Sequence, residues 1–375
     1  MSKDFTRTLD QTGGLRPAAR LVQIHLDPLM LLFLVTIIGY GLIVLYSAVN
    51  RDETYFTAQL VRMGLALAAL IIAAQLNPAI YFRWTPVFYI AGVVLLALVL
   101  VMGVQAKGAQ RWLELPGLPR FQPSEISKLA VPMMVAWYFH DRRLPPSFKD
   151  LAVAMLIILI PAGFIVVQPD LGTAILVAAA GFAVLLLAGL PWRWILYAGL
   201  ALAAAAPGLW YTLKEYQKQR ILTLFDPQSD PLGAGWNTIQ ATTAIGSGGV
   251  YGKGLFEGTQ SQLNFLPESH TDFIIAVIGE ELGLIGVAAF ILLYLMVLGR
   301  GLYMASAAHQ TYSRLLIGGL TLVFFVYVFV NISMVSGLLP VVGVPLPLVS
   351  YGGTSAITLM ASFGIVMSLH THKTW

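Results

Sequence analysis

Apolar runs of about 20 residues recur along most of the chain, from "PLMLLFLVTIIGYGLIVLYSA" near its start to "SAITLMASFGIVMSLH" near its end. At about 1.5 Å per residue, a helix of that length crosses a bilayer core of about 30 Å. In hydrocarbon the backbone N–H and C=O groups must pair internally, which leaves only helices or a closed barrel. Strict two-residue alternation is absent, and that removes the barrel. The chain is 58% hydrophobic and 11% charged, with mean hydropathy +0.78. Water-soluble domains carry about 25% charged residues. The expected class is an all-α membrane protein.

Ten segments read as spans: roughly 29–49, 58–77, 84–104, 123–140, 151–168, 171–190, 192–212, 271–299, 314–338 and 349–370. They define a polar N-terminal segment, 1–28, and a single polytopic domain, 29–375, with one large loop at 213–270 between spans seven and eight. The N-terminal segment lacks the layout of a cleaved signal peptide, so the first span is expected to stay in the membrane. No internal repeat of the transporter kind is visible.

An even span count puts both termini on one side, together with Lys3, Arg7, Arg16, Arg20, Arg83, Arg142, Arg143, Lys149, Arg193, Arg300, Arg314 and Lys373. The opposite short loops hold Arg51, Arg62, Lys107, Arg111 and Arg120. Excess Lys and Arg marks the cytoplasmic face, so both termini are expected inside and 213–270 outside. The pI near 9.2 then reflects orientation and not nucleic-acid binding, because the basic residues are scattered through short loops. With no cysteine, disulfides, thiolate metal sites and a cysteine nucleophile are excluded.

The stretch "LPESHTDFIIAVIGEELG", residues 266–283, gathers four of the chain's 18 acids: Glu268, Asp272, Glu280 and Glu281. Asp272 precedes an apolar run and reads in two ways. It can cap the following helix, as can Ser269 and Thr271. It can equally be a carboxylate in partly apolar surroundings, suited to taking a proton. Glu280 lies about 12 Å further along the same helical face, and Glu281 points the other way. Neither makes a glycosidase-type acid pair with Asp272.

Other constellations also carry charge into apolar sequence. In "RFQPSEISKLAVP", Glu125 and Lys128 are three apart and share a helical face, which fits either a brace between helices or contact with an anionic lipid headgroup. In "IVVQPDLGTA", Asp170 is placed to cap the sixth span. The large loop contains turn signals at Asp226-Pro227 and Asp230-Pro231 and a candidate short helix, "GWNTIQATTAIG", on which Trp236 and Gln240 share a face. It is expected to pack on the outer surface of the bundle. "GLLPVVGVPLPLVSYGGTSA", residues 337–356, predicts non-helical backbone lining a cavity or buried in protein.

Two motifs fail. "GSGGVYGKG" has Ser247 and Gly254 where a phosphate-binding loop needs Gly and Ser or Thr. The tail histidines His370 and His372 are too few for a metal site.

The stretches "KGAQRWLELPGLPRFQPSEISKL", "QPDLGTA", "GWNTIQATTAIGSGGVYGKGL", "LPESHTDFIIAVIGEELG" and "LPLVSYGGTS" together resemble the SEDS family of bacterial cell-wall synthases, over essentially the whole chain. "KGAQRWL" is more similar to its elongation-type members than to its division-type members. The resemblance implies a peptidoglycan glycosyltransferase that polymerises lipid II at the outer face of the bacterial cytoplasmic (inner) membrane. The implied partner is a class B penicillin-binding protein, a transpeptidase, alongside membrane lipids. The family's essential acid falls on Asp272, its paired acid and lysine on Glu125 and Lys128, and its loop glutamine on Gln240. Arg111 and Arg220 are further candidates for the substrate diphosphate, and Asp170 is a candidate substrate contact. No closed ligand set for a metal is visible, so a divalent cation, magnesium or manganese, is expected at most on the diphosphate. The competing expectations are a lipid II flippase and the division-type polymerase.

Overall fold

The computed structural model describes residues 24–372 apart from 107–108, 115–119, 214, 232–234 and 263–267. Lys3, Arg7, Arg16, Arg20, Lys107 and Lys373, counted above for orientation, lie outside the described residues. So does most of the segment 1–28.

The helices are α1 (Pro28–Ala48), α2 (Glu53–Gln75), α3 (Pro78–Met102), α4 (Pro123–Phe139), α5 (Phe148–Val167), α6 (Leu171–Leu187), α7 (Trp192–Thr212), α8 (Glu215–Phe225), α9 (Trp236–Gly248), α10 (Thr259–Gln262), α11 (Ile274–Ala307), α12 (Thr311–Val335) and α13 (Thr354–Thr371). Each of the ten expected segments contains a helix, although 271–273, 336–338 and 349–353 lie outside one. Among the described residues seven helices are long and apolar enough to cross a membrane: α1, α2, α3, α5, α11, α12 and α13. Helix α6 is apolar but shorter. The sequence reading missed an antiparallel hairpin, β1 (Val104–Ala106) with β2 (Ala109–Trp112), between α3 and α4.

Helices α2 and α3 begin several residues before the expected 58 and 84, because polar caps open them. Asp52 accepts from the amides of Thr54 and Tyr55, and Asn77 accepts from Ala79. Helix α1 starts at Asp27, which accepts from Met30 N at 2.8 Å. Arg300 of α11 donates to the same carboxylate. The turn Asp226–Ser229 forms as expected, with Asp226 accepting from Gln228 N.

Helix α12 is largely enclosed, set against α4, α6, α11 and α13. Its Phe324 meets Phe363 of α13, with centroids 5.0 Å apart, and Tyr294 of α11, which in turn meets Phe290. Peripheral helices turn large apolar side chains outward, among them Ile72, Val87, Ile90 and Leu156, as lipid-facing helices do.

The expected continuous span 271–299 is interrupted. Gly283 has φ +64 and ψ −163 inside α11, outside the helical region. The break exposes backbone groups, and the segment after α9 pairs with them. Lys253 N and Gly254 N donate to the carbonyls of Glu280 and Glu281, while Leu284 N and Ile285 N donate to Gly249 and Val250. Helix α9 itself packs on α11 so closely that a Cβ at Gly248 would lie 1.9 Å from Gly279 O. The large loop is therefore pinned into the bundle through backbone hydrogen bonds.

Candidate functional site

Segments 111, 169–172, 213–221, 268–272 and 340–351 contribute to the wall of one cavity of about 530 Å³. They follow α3, α5, α7, α10 and α12, and the main chain sews them together. Asn331, fully buried in α12, donates from Nδ2 to Asp272 O at 2.9 Å and to Val344 O at 2.7 Å. Tyr351 N donates to His270 O at 2.8 Å, and Ser350 Oγ donates to Thr271 O. Gln59 of α2 closes the far side, donating to Ser350 O and accepting from Gly352 N. The segment 336–353 is non-helical, as expected of the start of 337–356, with 344 and 346–350 buried, and it holds 268–273 in place.

Asp272 is half-buried and lines the cavity. Its carboxylate lies near Gly343, where a Cβ would sit 3.5 Å from Oδ2. Helix α11 starts at Ile274 with Phe273 in the N-cap position, so the cap falls on none of Asp272, Thr271 and Ser269. Glu268 lines the same cavity and accepts from Thr271 Oγ1 at 2.8 Å.

Arg111, Asp170 and Arg220 reach the cavity too. Asp170 caps α6 by accepting from Thr173 N at 3.2 Å, pairs with Arg111 at 3.5 Å, and accepts from Gln122 Nε2 at 3.2 Å. Arg111 also donates to Pro169 O at 3.2 Å. Arg220 projects from the exposed side of α8.

Three expected site residues do not reach the cavity. Lys128 and Glu125 form a buried pair at 2.5 Å inside the bundle, with Lys128 Nζ 5.1 Å above the Tyr327 ring. Helix α4 turns this face toward α12 and α13, where the pair borders a separate, smaller cavity together with Tyr327 and Thr358. Gln240 sits on α9, half-buried, outside the cavity lining.

The deeper acids have protein partners. Glu280, fully buried, accepts from Lys253 Nζ at 2.8 Å, Thr259 Oγ1 at 3.1 Å and Gln260 N at 2.9 Å. Glu281 accepts from Ser47 Oγ at 2.6 Å, and Phe256 N donates to that serine. Among the described residues no three metal-ligating side chains converge.

Sequence reasoning missed Asn331, Gln59 and Ser350 as the fasteners of Asp272. Asn331 had a visible signal, a lone amide in "VFFVYVFVNISMV". Gln59 had none, because its partners are backbone groups about 290 residues away.

The fold and site define a helical membrane bundle whose connections wall a cavity bearing carboxylates and arginines. The family follows from comparison: the model described as cell cycle protein, covering FtsW, RodA and SpoVE, matches residues 24–375, and the chain belongs to this SEDS family. It is 52% identical over 352 residues to the peptidoglycan glycosyltransferase MrdB of Escherichia coli strain K12, covering 94% of this chain and 95% of that one. A solved peptidoglycan synthase complex, described as coordinating polymerization and crosslinking, aligns with a TM-score of 0.81 at 33% identity, covering 92% of this chain and 98% of that one. The rod shape determining protein RodA of Thermus thermophilus aligns with a TM-score of 0.70 at 30% identity, covering 92% and 97%.

Proposed function

We propose that the protein is a peptidoglycan glycosyltransferase that polymerises lipid II into glycan strands for elongation of rod-shaped cells. Membership of the family and 52% identity to a peptidoglycan glycosyltransferase support the activity, and the likeness to a rod shape determining protein supports the elongation role. The observation that carries the reading is the cavity that sets Asp272 beside Arg111 and Arg220.

In this reading Asp272 is the general base. Its carboxylate takes the proton from the acceptor GlcNAc 4-hydroxyl as that oxygen bonds to the anomeric carbon of the donor. The bond from that carbon to the diphosphate breaks, and undecaprenyl diphosphate leaves with the electron pair. A diphosphate leaves without protonation by a strong acid, so one carboxylate suffices. Arg111 and Arg220 offset its charge. Base catalysis of this kind contributes roughly 10²–10⁴-fold. A divalent cation on the diphosphate, magnesium or manganese, would add to that charge neutralisation.

The topology belongs to the same proposal: ten spans (α1–α7 and α11–α13), a polytopic domain over 29–375, segment 1–28 and both termini in the cytoplasm, and 213–270 outside. Every segment at the cavity then lies on the outer face of the inner membrane. The partner is a class B penicillin-binding protein, in line with the matched synthase complex that joins polymerization to crosslinking. The test incubates detergent-purified protein with lipid II, with and without magnesium, and resolves the products by size. Glycan polymer supports the reading, and intact lipid II that only changes leaflet in vesicles indicates a flippase.

A further inference from the structure

Lys128, Lys253, Arg111 and Arg300 each have a carboxylate partner. Arg62 does not: among the described residues no carboxylate pairs with it. It lies nine residues into α2, at the level of the cavity-lining Tyr351. Its guanidinium instead lies 4.3 Å from the ring centroid of Tyr351, and its stem packs on Gly353. Tyr351 lines the cavity and donates its amide to His270 O, two residues before Asp272. Stacking covers one face of a guanidinium and leaves its in-plane N–H donors for an anion, and the planar fork matches phosphate oxygens.

Joining two lipid-linked saccharides brings two diphosphates to one cavity, and Arg111 is already partly neutralised by Asp170. We propose that Arg62, outside the cavity lining but seated on the wall residue Tyr351, forms a second anion subsite at the cavity edge that holds the diphosphate of one lipid-linked saccharide while Arg111 and Arg220 face the other. The assignment rests on the glycosyltransferase reading above. The same phosphate chemistry is present in bulk anionic phospholipid, and the test separates the two.

Native mass spectrometry on the detergent-purified Asp272→Asn protein counts bound undecaprenyl diphosphate without turnover. Loss of this subsite and loss of polymerisation chemistry are therefore separate outcomes. With Arg62 intact, two molecules bind; Arg62→Gln in that background leaves one, and Arg62→Lys holds the second more weakly than arginine. In the protein with Asp272 restored, Arg62→Gln raises KM for lipid II by on the order of tenfold or more, the loss expected for one charge-assisted contact, with a smaller change in kcat. Unchanged gel filtration and thermal unfolding of Arg62→Gln show that folding is intact, and Arg62→Met repeats the test with the stem retained. One bound molecule with Arg62 intact overturns the proposal, as does a count of two in Arg62→Gln. Displacement of the second molecule by an equal concentration of phosphatidylglycerol overturns it as well.

Discussion

At the scale of single residues, Asp272 owes its position to groups that never touch the cavity. Asn331 spends both amide hydrogens on main-chain oxygens, one of them Asp272's own. Replacing it with alanine leaves two carbonyls without that donor, at a cost of roughly 1–3 kcal/mol. The expected result for Asn331→Ala is a lowered thermal midpoint and slower polymerisation, read on the same purified sample. Glu125 and Lys128 act differently. Glu125→Gln leaves an ammonium unpaired inside the bundle and is expected to destabilise by about 3–5 kcal/mol. Removing both charges, as Glu125→Leu with Lys128→Met, is expected to recover most of the thermal midpoint. If the double variant stayed as unstable as the single one, the brace would not be what the pair supplies.

At the scale of elements, the informative feature is the break in α11. Gly283 adopts a positive φ, and a Cβ there would fall 2.3 Å from Gly252 N. Gly283→Ala therefore combines about 1–2 kcal/mol of backbone strain with a clash against the inserted loop. It is expected to unseat residues 249–254, which faster hydrogen exchange at Lys253, Gly254, Leu284 and Ile285 would show. The apolar periods of the long helices were legible in the sequence because lipid imposes them. The break was not legible, since the glycine in "EELGLIG" reads as one more tolerated helix glycine until its hydrogen-bond partners are known. Helix α9 was legible from "GWNTIQATTAIG", whereas the hairpin β1–β2 was not, being too short for an alternating pattern. At the site, Asp272, Arg111, Asp170 and Arg220 could be nominated individually. Their convergence, and the absence of Lys128 from it, depend on how α4 is rotated against α12, which no local pattern encodes.

At the scale of the whole molecule, the residues just before the first helix meet those at the end of the last one. His25 stacks on His372 with centroids 3.5 Å apart, and Asp27 pairs with Arg300. Burial, with the neighbouring His372 adding to it, lowers the His25 pKa below its ordinary value of 6.5. The folded state thus favours the neutral imidazole. The stacking contribution is full above pH 6.5 and is lost as pH falls from there through the folded-state value. His25→Phe is expected to flatten that acid-side decline in thermal midpoint. Because the chain lacks cysteine, topology is open to single-cysteine labelling. A membrane-impermeant maleimide added to intact spheroplasts should label Ser229→Cys and leave Asp141→Cys unlabelled until lysis; the reverse pattern would invert the proposed orientation.

The central claim is that a carboxylate at residue 272 removes the acceptor's proton. Its most direct test is lipid II polymerisation by purified Asp272→Asn, which keeps size and hydrogen bonding but removes the base. The account predicts no glycan polymer from a protein with wild-type thermal unfolding. Polymer formed at the wild-type rate would contradict it.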